Sequence, residues 1–96
     1  RWGFERATTD WSSLAADASI ELVDVATPNH LHAPQSIAML AAGKVVACEK
    51  PLAGTLADAR AMRDAAARAG RPTFVWFNYR RCPAIGLAWK LAREGF

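Results

Sequence analysis

Three apolar runs of strand length alternate with stretches of helical pattern, and this alternation most constrains how the 96-residue chain can fold. Segments rich in Val and Leu or in aromatic residues predict strands over 20–26, 44–48 and 73–77. A helical pattern follows each strand. Alternation of this kind is typical of βαβ units, whose strands lie parallel in one sheet. The sequence therefore predicts the α/β class with a parallel sheet.

The helical stretches begin and end at residues that commonly bound helices. Thr55 and Asp58 form a capping box, and Gly70 can adopt the left-handed conformation that ends a helix. Pro34 and Pro83 suit a first helical turn, where a missing N–H does little harm. The predicted helices cover 11–16, 33–42, the stretch from the capping box to 69, and 83–93, the last with Ile85, Ala88, Trp89 and Ala92 turned inward.

Composition and charge argue against several classes of protein. The hydrophobic share of 52% and the charged share of 22% are ordinary for a globular domain. No apolar run approaches the ~20 residues that a membrane span needs, so we expect no membrane partner. The net charge is +3, but the arginines are dispersed rather than gathered in a basic stripe. We therefore expect no nucleic-acid partner.

The cysteines and histidines do not have metal-ligand spacing. Cys48 and Cys82 form no CxxC pair, and His30 and His32 are two residues apart, not the three or four that share a helix face. We expect no metal site. The chain shows no signal peptide and opens with Arg1, so we expect further sequence upstream. Two distant cysteines without a disulfide framework fit a reducing compartment, and we expect a cytoplasmic location.

Polar clusters follow all three predicted strands. They are Thr27-Pro28-Asn29-His30, Glu49-Lys50-Pro51 and Asn78-Tyr79-Arg80. Parallel strands end at one edge of a sheet, and open α/β sheets bind ligands outside that edge. The sequence therefore predicts that the clusters converge on a binding edge.

These residue types suit a hydroxyl-bearing ligand, although each has a structural alternative. The ammonium of Lys50 beside a reacting hydroxyl would make its proton easier to lose, and Glu49 could accept hydrogen bonds from ribose hydroxyls. The two could instead form an ion pair at a strand end. Asn29 and His32 could be helix caps or loop formers, and Arg80 a solvated loop charge.

Four segments in order resemble the Gfo/Idh/MocA family of oxidoreductases: ATPNHLH at 26–32, AGK at 42–44, EKPL at 49–52 and NYR at 78–80. The resemblance implies a two-domain enzyme whose Rossmann domain holds NAD or NADP. It implies hydride transfer between that cofactor and a sugar, inositol or related polyol. It also implies a homo-oligomeric full-length protein.

The resemblance covers only part of such an enzyme. It identifies the chain as a partial doubly wound parallel sheet, Rossmann-like and incomplete. Residues 1–80 would be the C-terminal portion of the cofactor domain, and 81–96 a helix leading toward the substrate domain. The glycine-rich phosphate-binding turn is absent from these 96 residues. We therefore expect catalysis from the full-length parent and an inactive isolated chain.

The resemblance also implies roles for individual residues. Lys50 would be catalytic, touching substrate and orienting the reacting hydroxyl. The cofactor-binding residues would be Thr27, Pro28, Asn29, His32, Glu49, Lys50 and Arg80. An alternative function in the same fold is a non-catalytic dinucleotide-binding regulator, because some relatives keep the fold without turnover. Another is a partly folded piece without activity.

Overall fold

A computed structural model describes residues 3–96; residues 1 and 2, where the predicted 1–80 segment begins, lie outside the described residues. The chain alternates short strands and helices, as predicted. The elements are α1 (Ser12–Ala16), β1 (Leu22–Val25), α2 (Asn29–Ala41), β2 (Val45–Cys48), α3 (Leu56–Ala69), β3 (Thr73–Val75), a 3-10 turn (Asn78–Arg81) and α4 (Pro83–Arg93).

The sheet is three-stranded and parallel, in the order β1-β2-β3. In its register Val25 pairs with Cys48, and Cys48 pairs with Val75. The α/β class and the parallel sheet are therefore confirmed. Each strand is shorter than predicted, because β1 follows a turn in which the Ile20 amide donates to the Asp17 carbonyl, and β3 ends where the chain bends toward the 3-10 turn.

Helix α2 begins four residues before the predicted start at residue 33. Pro28 is its N-cap, and Pro34 lies inside the helix rather than in a first turn. A proline at position 34 removes the hydrogen bond that would go to the carbonyl of His30. His30 is exposed, so water can satisfy that carbonyl and the helix tolerates the proline.

Helix α3 follows the sequence prediction closely. The side chain of Thr55 accepts a hydrogen bond from the Asp58 amide, which is the predicted N-terminal cap. Gly70 ends the helix with φ 60°, a left-handed conformation that glycine adopts without steric cost. Local capping chemistry alone sets both ends of this helix.

One face of the sheet carries the core. Helices α2 and α3 pack against each other, and α2 also packs on β1 and β2. The cluster buries Val25, Val46, Cys48, Met39, Leu40, Met62 and Ala65. On the opposite face Leu22 and Phe74 are exposed, and no helix covers them among residues 3–96. The structure is thus one half of a doubly wound arrangement.

The prediction that α4 turns Ile85, Ala88, Trp89 and Ala92 inward was wrong. The helix buries none of its residues, and the side chains of Ile85 and Trp89 are 52% and 62% exposed. It packs chiefly against the 3-10 turn, so its apolar stripe has no neighbouring layer within the described chain. The radius of gyration is 16.3 Å, against about 12.5 Å for a compact domain of this length.

None of the helices formed by residues 3–96 combines the length and the apolar character needed to cross a bilayer.

Candidate functional site

The C-terminal ends of the three strands lie at one edge of the sheet. Two backbone hydrogen bonds there continue the pairing of β1 with β2 and of β2 with β3. The Glu49 amide donates to the Val25 carbonyl at 2.9 Å, and the Trp76 amide donates to the Cys48 carbonyl at 3.0 Å. The chain segments that follow β1, β2 and β3 therefore leave the sheet side by side. This edge is where the sequence predicted a binding site.

His32 joins the first two clusters directly. Its side chain is fully buried, with 0% exposure. The ring Nε2 lies 2.8 Å from the carbonyl oxygen of Thr27, and Nδ1 lies 2.9 Å from the carbonyl oxygen of Pro51. The structure thus places His32 behind the edge, between the loop after β1 and the turn after β2.

Sequence reasoning missed two buried polar residues of α2, one of which supports the same loop. Gln35 and Ser36 are buried in α2, and the Thr27 hydroxyl donates to Gln35 Oε1 at 2.8 Å. The Ser36 hydroxyl has no hydrogen-bond partner among residues 3–96. Spacing could have revealed both, because positions 32, 35 and 36 share a helix face with buried Met39. Hydrophobic packing does not explain polar side chains at buried positions, so such positions indicate another requirement.

The Glu49-Lys50-Pro51 turn holds one carboxylate close to its own backbone. The Lys50 amide donates to Glu49 Oε2 at 2.9 Å, so the carboxylate folds back over the turn. Glu49 is half-buried, whereas Lys50 is exposed. The Lys50–Pro51 peptide bond is cis. Among residues 3–96 the second oxygen of Glu49 and the ammonium of Lys50 have no hydrogen-bond or ion-pair partner, so both are available to a ligand.

Cys48 lies beneath this turn with 1% of its surface exposed. Burial raises the pKa of its thiol, and the negative charges of Asp24 and Glu49 raise the pKa further. The neighbouring Ser36 hydroxyl lowers that pKa but lies outside hydrogen-bond geometry. The thiol is therefore a structural group at neutral pH rather than a nucleophile.

Arg80 lies in the 3-10 turn that follows β3. It lines a cavity of about 420 Å³ with Ile85, Gly86 and Trp89. Within residues 3–96 no side-chain hydrogen bond joins Arg80 to the loop after β1 or to the turn after β2. The structure brings the Thr27 and Lys50 clusters into contact through His32, whereas Arg80 lies in the 3-10 turn that follows β3.

The described residues include no group of three His, Cys, Asp or Glu side chains arranged to hold a metal ion.

An open parallel α/β sheet with polar groups at its carboxyl edge is the architecture of ligand-binding α/β domains, nucleotide-binding domains among them. A family model described as "Oxidoreductase family, NAD-binding Rossmann fold" matches residues 1–77. The chain therefore belongs to the Gfo/Idh/MocA family, as its motifs indicated.

Similar proteins include several sugar dehydrogenases. The chain is 52% identical over 95 residues to levoglucosan dehydrogenase of Pseudarthrobacter phenanthrenivorans, covering 99% of this chain and 24% of that protein. It is 41% identical to D-apiose dehydrogenase of Paraburkholderia graminis, covering 98% of this chain and 25% of the relative. A solved levoglucosan dehydrogenase complex with NADH and levoglucosan superposes with a TM-score of 0.88 at 52% identity, covering 97% and 25% of the two chains. The chain thus spans about a quarter of the length of these relatives.

Proposed function

We propose that the full-length protein carrying this chain is an NAD- or NADP-dependent dehydrogenase that oxidises or reduces a sugar or related polyol. The observation that carries the proposal is the joined pair of loops at the carboxyl edge, where His32 links the Thr27 loop to the Glu49-Lys50-Pro51 turn. Membership of an NAD-binding oxidoreductase family and similarity to sugar dehydrogenases support it.

The groups available at this edge fit the nicotinamide-ribose end of the cofactor. Glu49 offers a free carboxylate oxygen for ribose hydroxyls, and exposed Asn29 offers an amide. Thr27 and Pro28 shape the loop beside them, and Arg80, in the 3-10 turn after β3, would supply positive charge. No phosphate-cradling glycine loop occurs in the 96 residues, so this chain would hold only part of the cofactor. When bound, the nicotinamide supplies the hydride acceptor or donor.

Lys50 is the proposed catalytic residue. Lys50 is exposed at the edge, and the adjoining backbone is held by the Glu49 carboxylate and by the contact between His32 Nδ1 and the Pro51 carbonyl oxygen. A cation beside the reacting hydroxyl stabilises the negative charge that develops on that oxygen as its proton leaves. The base that receives the proton is proposed to lie outside this chain.

The division of the full-length protein is also proposed from the family resemblance. Residues 1–80 form the end of the cofactor domain, and residues 81–96 lead toward the substrate domain. The exposed apolar stripe of α4 is consistent with a helix that packs on another part of the protein. We propose, on the resemblance alone, a cytoplasmic homo-oligomer.

Substitution of Lys50 tests this function. In the full-length protein Lys50→Ala should lower kcat for the sugar substrate by about 10²-fold or more, with little change in the Kd of NADH. Lys90→Ala is the matched control, because Lys90 is an exposed lysine on α4, with 67% of its side chain accessible. The control should keep normal turnover.

Two results would contradict the proposal. Near-normal turnover in Lys50→Ala would remove the catalytic role of that lysine. A wild-type protein that binds NADH but reduces or oxidises none of a panel of sugars and inositols would instead indicate the non-catalytic regulator.

A further inference from the structure

Helix α2 holds Thr27 at two points. The Thr27 hydroxyl donates to Gln35 Oε1 at 2.8 Å, and the Thr27 carbonyl oxygen lies 2.8 Å from His32 Nε2. His32 and Gln35 are three residues apart, so their side chains share one face of the helix. Both are buried, with 0% and 5% of their surfaces exposed. The backbone and the side chain of Thr27 are therefore both fixed by the same face of α2.

The bond to Gln35 sets what the Thr27 hydroxyl can still do. A hydroxyl has one proton to donate and two lone pairs that accept. The proton is committed to the Gln35 oxygen, so Thr27 Oγ1 can take part in further hydrogen bonds only as an acceptor. Among residues 3–96 no group donates to that oxygen, and Thr27 is half-buried rather than enclosed. The loop after β1 thus carries an oriented acceptor at the carboxyl edge.

Hydrophobic packing does not account for the glutamine at position 35. Gln35 lies one helical turn before buried Met39, where an apolar side chain would be buried without a polar cost. Within residues 3–96 the Gln35 side chain makes a single hydrogen bond, the one that it accepts from Thr27. The buried amide therefore acts on the loop after β1 rather than on the core.

We propose that Gln35 is a positioning residue that turns the Thr27 hydroxyl so that its oxygen accepts a hydrogen bond from the nicotinamide-ribose end of the cofactor. Two kinds of group at that end can donate, the carboxamide N–H and the ribose O–H. This inference rests on the proposed function, in which the loop after β1 faces the cofactor. Gln35 is almost fully buried, so it acts through Thr27 and not by direct contact.

Cofactor affinity of the full-length protein tests the role of Gln35. Gln35→Met keeps an unbranched side chain of similar length but removes the acceptor for the Thr27 proton. We expect the Kd of NADH to rise by about 3- to 10-fold, the effect of one lost hydrogen bond. At saturating cofactor kcat should stay within about twofold of the wild type, since Lys50 keeps its own contacts. An unchanged Kd in this variant would overturn the proposal.

Ser36→Ala is the matched control for Gln35→Met. Ser36 is a buried polar residue of the same helix, but its hydroxyl has no hydrogen-bond partner among residues 3–96. The control should therefore keep the Kd of NADH, even if it changes the free energy of unfolding. A rise in Kd as large in the control as in Gln35→Met would overturn the proposal, because any disturbance of α2 would then have the same effect.

Substitutions of Thr27 test the other end of the bond. Thr27→Val removes the hydroxyl and keeps the shape of the side chain, so the Kd should rise as in Gln35→Met, whereas Thr27→Ser should restore it. Adding Gln35→Met to Thr27→Val should weaken binding no further, because Gln35 acts only through that hydroxyl. Losses that multiply in the double variant would overturn the proposal. An unchanged Kd in Thr27→Val would do so even if Gln35→Met does not fold.

The donor on the cofactor is identified with acetylpyridine adenine dinucleotide, which keeps the carbonyl of the carboxamide but lacks its N–H. If the carboxamide donates, the wild type should bind NAD more tightly than this analogue, and Thr27→Val should lose part of that preference. If a ribose hydroxyl donates, Thr27→Val should weaken binding of both compounds by the same factor. Either result supports the accepting role of Thr27 Oγ1, and equal affinities of wild type and variant for both compounds would overturn it.

The outcomes separate this inference from the proposed function. A protein in which Gln35→Met and Thr27→Val weaken NADH binding, but which turns over no sugar, would contradict the proposed function and support the role of Gln35. An active sugar dehydrogenase in which both variants keep the wild-type Kd would do the reverse.

Discussion

The indole Nε1 of Trp76 donates a hydrogen bond to Asp24 Oδ1 at 2.8 Å, although 52 positions separate the two residues along the chain. Asp24 belongs to β1 and Trp76 follows β3, so the bond spans the central strand. Ala47 of β2 pairs with Asp24 and is only 2% exposed, although this face of the sheet has no helical layer in the described chain. A small side chain at position 47 leaves room for the indole to cross.

Removing this indole donor should weaken the protein modestly. We expect Trp76→Phe to lower the free energy of unfolding by about 0.5–1.5 kcal/mol, since one hydrogen bond at a partly exposed site is lost. Urea unfolding followed by circular dichroism gives the measurement. Asp24→Ala removes the acceptor, and with the double variant it completes a thermodynamic cycle. Full additivity of the two losses in unfolding free energy would show that the bond contributes nothing.

The N-terminal cap of α3 should stabilise the fold more than the exposed position of Thr55 suggests. Thr55→Ala removes the acceptor for the Asp58 amide, and we expect a loss of about 1 kcal/mol in the free energy of unfolding. Thr55→Ser keeps the hydroxyl and should stay near the wild type. If the serine variant is as unstable as the alanine variant, the methyl group rather than the cap is responsible.

Acid stability should depend on Asp17. Hydrogen bonds from the Ser19 hydroxyl and amide, with the Arg6 guanidinium, lower the pKa of this carboxyl from 3.8 to about 2. Because the folded-state pKa lies below the unfolded value, the stabilisation is present above pH 3.8 and is lost as the pH falls toward 2.

Melting temperatures measured between pH 5 and pH 2 test the role of Asp17. The melting temperature of the wild type should fall in this window, and that of Asp17→Asn should fall less. Glu5→Gln, a change in a carboxylate on the same N-terminal segment, should keep the wild-type decline. Parallel curves for wild type and Asp17→Asn would contradict the assignment.

Buried Lys44 should be far more sensitive to substitution than an exposed lysine. Its side chain is 6% exposed and donates from Nζ to the Asp17 carbonyl at 2.7 Å. Lys44→Met keeps the aliphatic packing but removes this charge-assisted bond and leaves the carbonyl with the Ile20 amide as its donor, so we expect a loss of about 1.5–3 kcal/mol. Lys90→Met should change the free energy of unfolding by less than about 0.5 kcal/mol, and equal losses in the two variants would contradict the bond's importance.

The elements that could be predicted from the sequence are those set by local chemistry. The order of strands and helices follows from hydrophobic pattern, and the ends of α3 follow from Thr55 and Gly70. The start of α2 was predicted too late because proline is commonest in the first turn of a helix. Pro34 is tolerated inside the helix because water can satisfy the carbonyl that it leaves without a donor. The inward face of α4 was misplaced because a periodic stripe does not say which surface covers it.

The edge of the sheet that carries the candidate site was predictable, but the contacts within it were not. Parallel strands end at one edge, so the three clusters could be placed there from their order alone. The bonds of His32 to positions 27 and 51, and the bond between Trp76 and Asp24, depend on where separate elements meet in space. The cofactor and substrate roles of Lys50, Glu49, Thr27, Pro28, Asn29, His32 and Arg80 stay predictions.

Because Cys48 is buried, the reactivity of its thiol can report when this edge of the sheet opens. Its thiol is shielded from solvent and its raised pKa suppresses the reactive thiolate, so a maleimide can react only when the turn above it opens. With partly exposed Cys82 replaced by serine, the labelling rate at position 48 would count those openings and show whether NADH slows them.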